Sequence, residues 1–281
     1  MLNSRLEFSK VSIDLKALQD SDLPKFSGSY LRGAFGHSLK SAFCVMNHRN
    51  CSICLVKESC GYFQVFESLD DSKKNSGYLY KPHPYIIHPT LEFEFKKDQI
   101  LNFQITILCE YTKYLPYFIY SFELMGKIGF GAERFKFTLD NIRDFYTEKS
   151  IYENKTLIQN SISKISIQEY ADKCISENKN IHKYYLEFIT PARFVQDKKE
   201  IEKLTPEILL HSMIRRYKIM IKFYGTFAEE DFDLGNLQLQ EENKQEYKSW
   251  KRYSNRQKTT LRQGGIIGNY KYSSISIYKK N

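Results

Sequence analysis

The chain has 281 residues, 42% of them hydrophobic, which is enough for one large or two ordinary domains with packed cores and is not typical of a globally disordered chain. Its 42 basic residues against 33 acidic ones give a net charge of +9, which favours polyanionic partners such as RNA, DNA or an anionic membrane. There is no signal-peptide pattern and no membrane-spanning run, so we expect a cytoplasmic protein without a membrane partner, whose cysteines are free or metal-bound.

The first half of the chain predicts the element order β-α-β-β-α-β. Alternating apolar residues predict a strand over 2–15, and an apolar stripe at spacings of three and four predicts a helix over 29–43. Paired strands over 85–96 and 100–110 precede a helix over 112–129 and a glycine-rich turn that leads into a strand. This is the order of a ferredoxin-like α+β domain, with the cysteine-rich residues 44–84 as an insertion after the first helix.

The second half predicts a shorter β-α-β-β order. A strand over 183–190 and a helix over 205–225 are followed by an acidic segment, 229–246, that we interpret as a loop or short helix. Two strands, 250–262 and 264–278, would then be joined at Gly264-Gly265. We therefore expect domains at 1–158 and 159–281. The second domain would lack its last helix and strand, which would leave the strand at 184–190 with an open edge.

Several motifs resemble, in the same order, those of the CRISPR-associated endoribonucleases of the RAMP superfamily that process precursor CRISPR RNA. The branch with four cysteines after the first helix is the most similar. The motifs extend over almost the whole chain: SGSYLRGAFGHSLK, CSICLVKESCGYF, KPHPY, LPYFIYSFELMGKIGFGAERFKF, TPARF and RYSNRQKTTLRQGGIIGNYKY.

The resemblance implies two ferredoxin-like, RRM-like domains that bind CRISPR repeat RNA and cleave one phosphodiester bond in it without a metal. The upstream 2′-hydroxyl would attack, leaving a 2′,3′-cyclic phosphate and a 5′-hydroxyl. That reaction needs a base, an acid and a cation at the phosphate. Two other hypotheses stay open: an inactive subunit that holds guide RNA among other CRISPR effector subunits, and a metal-containing DNA-binding regulator, for which no helix-turn-helix is visible.

His37 is the candidate acid–base residue. It lies opposite the apolar stripe of the first helix. The ordinary pKa of a histidine side chain is about 6.5, so such a side chain can act as an acid or a base at neutral pH. The resemblance also places a histidine on or near this helix. Lys40, three residues on, would stabilise phosphate charge, and Tyr30 is a weaker candidate. The alternative interpretation is an exposed histidine without a role.

A basic run near the C-terminus predicts a strand that binds the RNA backbone. It consists of Lys251, Arg252, Arg256, Lys258 and Arg262. In an unbroken strand the last four would share one face, and the resemblance favours RNA binding over a solvated edge strand. Arg134, beside the first glycine-rich turn, and Arg193, in TPARF, are secondary candidates.

Four cysteines within 17 residues predict a closed tetrahedral metal site. They are Cys44, Cys51, Cys54 and Cys60. Structural zinc and an iron–sulfur cluster use the same four thiolates, and we favour zinc because the expected cleavage has no redox step. His48 could replace one cysteine, and four unligated thiols are the alternative.

Overall fold

The computed structural model describes residues 6–46, 50–67, 81–130, 133–158, 162–177, 183–196, 199–226, 232–233, 242–254, 259–273 and 278–279. In chain order its elements are β1 Glu7–Ala17, β2 Ser21–Asp22, α1 Gly28–Phe43, β3 Tyr85–His88, β4 Glu94–Phe95, β5 Ile100–Leu108, α2 Leu115–Ile128, β6 Phe137–Asp144, β7 Ser150–Glu153, β8 Thr156–Leu157, β9 Ile165–Ser166, α3 Ile167–Glu177, β10 Lys183–Ala192, β11 Val195–Gln196, β12 Lys199–Glu200, α4 Pro206–Tyr224, β13 Phe232–Asp233, β14 Glu242–Ser254, β15 Thr259–Ser273 and β16 Tyr278–Lys279.

These elements form two compact units. As far as the structure describes them, the first comprises Arg5–Tyr170 with Lys222–Thr226, and the second comprises Ala171–Ile221 with Phe227–Asn281. The predicted boundary between residues 158 and 159 stays a prediction. Among the described helices, none has the length and apolar character needed to cross a bilayer.

The first unit has the strand order of a ferredoxin-like sheet. Strand β1 lies between β5 and β6, and β3 pairs with the outer side of β5, all antiparallel. Helices α1 and α2 connect these strands in the predicted β-α-β-β-α-β order. The α+β prediction is therefore confirmed for this unit, and β7 and β8 extend the sheet beyond β6.

The core of the first unit lies between the sheet and the two helices. Val11, Ile13 and Leu15 of β1 are completely buried because alternate side chains of a strand point to one face. From α1, Phe35 stacks on Phe122 of α2 with ring centroids 5.3 Å apart. This packing fixes which face of α1 is buried and which face is left to solvent.

The second unit has a core of its own, which is smaller among the side chains that the structure describes. Strands β10, β15 and β14 form an antiparallel sheet in that order, and α4 supplies the predicted helix between β10 and β14. Leu209 of α4 packs with Leu204, Ile266 and Tyr270. The predicted β-α-β-β order is confirmed, and the predicted absence of a last helix and strand stays a prediction.

Two predicted strand boundaries are wrong. The strand predicted over 85–96 ends at His88, because Pro89 has no N–H to continue the ladder, and residues 94–95 pair with β2 instead. Ser254 of β14 pairs with Thr259 of β15, so the two strands are not joined at Gly264-Gly265, which lie inside β15. Residues 242–246, predicted as loop or helix, belong to β14.

Positions 264 and 265 lie inside β15, and both are glycine because the neighbouring groups leave no room for a side chain. A Cβ on Gly264 would meet Tyr247 Oη at 2.1 Å, and one on Gly265 would meet the backbone of Pro191 and Ala192 at 2.8 to 3.0 Å. A glycine inside a strand marks such a close approach as readily as it marks a turn.

Candidate functional site

One face of α1 is left open by the packing of the unit. Tyr30, Gly33 and His37 lie on it at spacings of three and four residues, opposite the buried Leu31, Phe35 and Leu39. His37 is exposed, Tyr30 is half-buried, and a Cβ added at Gly33 would meet nothing within 4 Å. The face therefore offers a phenol and an imidazole two helical turns apart, about 10 Å along the axis, with open space between them.

The glycine-rich turn after α2 brings a cation to the Tyr30 end of this face. Phe130 and Phe135 exchange two backbone hydrogen bonds of 2.8 and 2.7 Å, and the Phe130 ring lies 6.3 Å from the Tyr30 ring. Burial raises the pKa of Tyr30, and the nearby Arg134 guanidinium opposes that rise. Arg134, predicted from its place beside the glycine-rich turn, is thus a neighbour of Tyr30.

Gly129 makes this turn possible. Its N–H donates to Met125 at the end of α2, and its φ of 86° lies in the left-handed region that favours glycine. A Cβ at this position would meet the carbonyl oxygen of Arg134 at 2.4 Å. The backbone that carries Arg134 therefore packs directly on a glycine.

Lys40 points to a different flank of α1 from His37. Its Nζ lies 5.3 Å from the centroid of the Tyr62 ring, over the cysteine-rich insertion. Burial raises the pKa of the Cys51 thiol, and the nearby Lys40 ammonium opposes the rise. The structure thus brings Lys40 to Tyr62 and Cys51, whereas Arg134 lies at the Tyr30 end of the open face.

A ladder of stacked rings joins the insertion to α1. Arg32 Nη2 donates to His83 Nε2 at 2.6 Å, and its guanidinium lies 4.9 Å from the centroid of the Phe66 ring. The Phe66 and His83 rings stack with centroids 5.8 Å apart. Gly36 leaves the space that Phe66 occupies, since a Cβ there would meet the ring at 2.1 Å. These contacts fasten residues 62–67 and 83–85 to the helix.

All four predicted metal ligands line one cavity of about 40 Å³. Three backbone hydrogen bonds form successive turns, from Cys54 N to Cys51 O, from Lys57 N to Cys54 O and from Cys60 N to Lys57 O. Each of the three cysteines therefore lies at the start or the end of a turn. The thiols are half-buried and unpaired by disulfides. Within the described residues no three His, Cys, Asp or Glu side chains are close enough to hold a metal, and His48 lies outside them.

The basic run does not form one strand. Arg256 and Lys258 lie outside the described residues, between the two strands of the hairpin. The register places position 251 opposite Arg262 and position 252 opposite Leu261. Directly opposite positions share a face, so positions 252 and 262 lie on different faces, contrary to the prediction.

Of the basic side chains predicted to bind RNA in the second unit, the structure describes two, and both are partly engaged. Arg262 is exposed and donates from Nη2 to Ser249 Oγ at 3.1 Å. Arg193 is exposed, and its Nε lies 3.3 Å from Glu200 Oε1. Their charge remains available at the surface of the second unit, although neither lies with the others in a single row.

The outer face of the first sheet carries a polar network that was not predicted from the sequence. Asn102 Nδ2 donates to Asp14 Oδ1 at 2.6 Å, and Arg143 Nη2 lies 2.9 Å from Asp14 Oδ2. Next to it, His88 Nε2 lies 2.9 Å from Thr106 Oγ1. Burial and the neighbouring Lys10 lower the pKa of His88. The alternation of polar and apolar residues in β1 is the sequence pattern from which this network could have been predicted.

The fold and the open face of α1 define a two-unit α+β protein with a ferredoxin-like first unit. Residues 6–165, more than half of the chain, match the family model AF_1859_N, described as an N-terminal domain. The chain belongs to that family. Residues 186–279 match the model of the CRISPR-associated endoribonuclease Cas6, which confirms the predicted resemblance; the four-cysteine branch stays a prediction.

Known proteins that match the chain agree with this assignment. An uncharacterized protein of Archaeoglobus fulgidus is 25% identical over 213 residues, which are 75% of this chain and 68% of that protein. The solved structures of a partial Cas6-RT-Cas1–Cas2 complex and of the Cas6-RT-Cas1–Cas2 complex each match 98% of this chain, with a TM-score of 0.54 and 9% identity. The chain spans 41% and 26% of those two chains, and the match shows a shared fold.

Proposed function

We propose that this protein is an endoribonuclease that cuts precursor CRISPR RNA within its repeats. The observation that carries the proposal is the open face of α1, which presents His37 two helical turns from Tyr30 and its neighbour Arg134, in a chain whose second unit matches the Cas6 model. The net charge of +9 supports a polyanionic substrate. The resemblance supports cleavage without a metal.

In the proposed mechanism the 2′-hydroxyl oxygen upstream of the cut attacks the adjacent phosphorus. Its proton passes to a base, the bond from phosphorus to the 5′-oxygen breaks, and that oxygen takes a proton from an acid. His37, exposed on the open face, would perform one of these transfers. Arg134, whose charge acts on Tyr30, would stabilise the charge of the phosphorane.

Cleavage of the protein's own repeat RNA in EDTA tests the proposal. Under single-turnover conditions we expect one cut in each repeat, and His37→Ala should slow it by about 10²–10⁴-fold, the usual contribution of one acid–base group. Thr138→Ala, which shortens an exposed side chain of β6 outside every proposed site, is the control and should leave the rate at saturating RNA unchanged. Equal rates for wild type and His37→Ala would remove His37 from the mechanism.

The second candidate function is an inactive subunit that holds guide RNA. One observation favours it: among the described residues His37 has no hydrogen-bond partner that would orient its ring. The two matched structures are Cas6-RT-Cas1–Cas2 complexes, so other CRISPR proteins are further candidate partners. RNA binding without any cut in the assay above would establish this alternative.

We further propose that the four insertion cysteines hold a structural zinc ion, with an iron–sulfur cluster as the alternative. Four thiols that line one small cavity are the type of ligand that either needs. In the described part of the chain no three of them are close enough to hold an ion, so binding would draw the thiols together. The metal would fix a segment that has little core of its own, and cleavage would not pass through it.

Metal analysis of protein purified without oxygen tests the cysteine site. We expect about one zinc per chain, which Cys51→Ser and Cys54→Ser should lose together with several degrees of thermal stability. Cys174→Ser, in α3, is the control and should keep the metal. Brown protein would identify iron instead, and colourless protein without zinc would show that the thiols are unligated.

A further inference from the structure

Helix α4 carries an exposed row of side chains that no predicted site includes. Its members are spaced by three or four residues and are all exposed: Glu207, His211, Arg215, Lys218 and Lys222. Side chains at these spacings lie on one face of a helix. The cationic part, from Arg215 to Lys222, extends about 10 Å along the axis at 1.5 Å per residue.

The other side of α4 packs against the protein core. Leu209, Leu210, Met220 and Ile221 are buried, so the helix cannot turn its charged row inward. The row itself contains no apolar side chain. A helix that binds a membrane surface presents an exposed apolar face to it. On α4 only Met213 is an exposed large apolar side chain, and it lies outside the charged row.

The charges in the row do not stabilise the helix by themselves. Like charges three and four residues apart destabilise a helix by about 0.2–0.5 kcal/mol a pair, and the row contains two such pairs. Lys222 lies in the last turn, where the helix dipole favours a cation. Arg215 lies more than two turns before Tyr224, beyond the reach of that effect, so the helix dipole gives no reason for its charge.

We propose that this row binds the phosphate backbone of the RNA substrate, away from the cleaved bond. Several cations in a line fit a partner whose negative charges also repeat along a line, and phosphate contacts of this kind hold RNA without reading its sequence. Glu207 marks the end of the row, because a carboxylate there repels a phosphate. The inference rests on the proposed function, since it takes RNA as the ligand.

Adjacent arginines on α4 provide a matched test. Arg215 belongs to the row, whereas Arg216 is also exposed but lies about 100° further round the helix. Arg215→Gln and Arg216→Gln therefore make the same change in net charge at neighbouring positions. Arg216 belongs neither to the row nor to the proposed cleavage machinery, so Arg216→Gln should keep the wild-type single-turnover rate.

Binding of fluorescently labelled repeat RNA is measured by anisotropy across a salt series. Arg215→Gln should weaken binding several-fold at low salt and reduce the slope of log K against log salt by about 0.7–0.9, the value for one phosphate contact. Arg215→Lys should keep the wild-type slope, because it keeps the charge. Arg216→Gln should bind within twofold of wild type with the same slope.

The outcomes separate this inference from the proposed function. No RNA binding by the wild-type protein would overturn both. Wild-type binding with equal slopes for wild type and Arg215→Gln would overturn the α4 contact alone, and so would equal losses in the two glutamine variants, since net charge would then explain them. Binding of an acidic protein that depends on Arg215, with RNA binding unaffected, would show that the row has a different partner.

Discussion

At the residue scale, the candidate site depends on two glycines with opposite roles. Gly129 has a left-handed φ and packs against the carbonyl oxygen of Arg134, so a side chain there would displace the turn that holds Arg134 beside Tyr30. Gly33 lies inside α1 with open space around its Cα, on the face between Tyr30 and His37. The same substitution should therefore have different effects at the two positions.

We expect Gly129→Ala to destabilise the first unit by at least about 1–2 kcal/mol, the cost of a left-handed conformation for a residue with a Cβ, and to slow RNA cleavage by moving Arg134. Gly33→Ala should instead stabilise it by about 0.5–1 kcal/mol, because alanine is the better residue inside a helix. Urea unfolding and single-turnover cleavage measure both effects. Equal stability of the two variants would contradict this account of the turn.

At the scale of the elements, the spacing of apolar residues was sufficient to predict the helices and strands of the first unit. It was insufficient to predict where the strands of the last hairpin are joined. The apolar stripe of α1 and the alternation of β1 predicted which residues are buried, including Leu31, Phe35 and Ile13. The pair Gly264-Gly265 was interpreted as a turn because glycine favours turns, but the same residue type also permits close packing inside a strand. Only the position of the neighbouring strand β10 distinguishes the two, and a sequence does not contain it.

The residues of the candidate site likewise divide into those that the sequence predicted and those that it did not. The wheel of α1 predicted that His37 is exposed, and the glycine-rich turn indicated Arg134. The direction of Lys40 was not predictable, because it depends on Tyr62 and on how the insertion folds back on α1. The row on α4 was visible in the spacing of its charges, but its significance required knowing which face of the helix is buried.

Gly265 and Gly264 test the packing of this hairpin. A Cβ on Gly265 would press on the backbone of Pro191 and Ala192, which moves only if β10 shifts, so we expect Gly265→Ala to cost about 1–3 kcal/mol. A Cβ on Gly264 would meet the end of the Tyr247 side chain, which can rotate away, and Gly264→Ala should cost less than about 1 kcal/mol. Thermal unfolding compares the two, and a larger loss for Gly264→Ala would contradict the observed register.

At the scale of the whole molecule, the two units differ in the size of their cores as far as the structure describes the side chains. Among these, the first unit buries residues from β1, β3, β5, β6, α1 and α2 in one continuous cluster, whereas the buried cluster of the second consists of Leu204, Leu209, Ile266 and Tyr270. Stability grows with the apolar surface buried, so the second unit should be the less stable of the two.

We therefore expect unfolding in two steps, with the second unit melting first. The chain has one tryptophan, Trp250, and it lies in β14, so its fluorescence reports the second unit, while far-ultraviolet circular dichroism reports both. In urea the fluorescence transition should precede the main loss of circular dichroism. Gly265→Ala should lower the midpoint of the fluorescence transition alone, and Gly129→Ala should lower that of the later one. Coincident transitions in the wild-type protein, shifted together by either variant, would mean that the two units unfold as one cooperative structure.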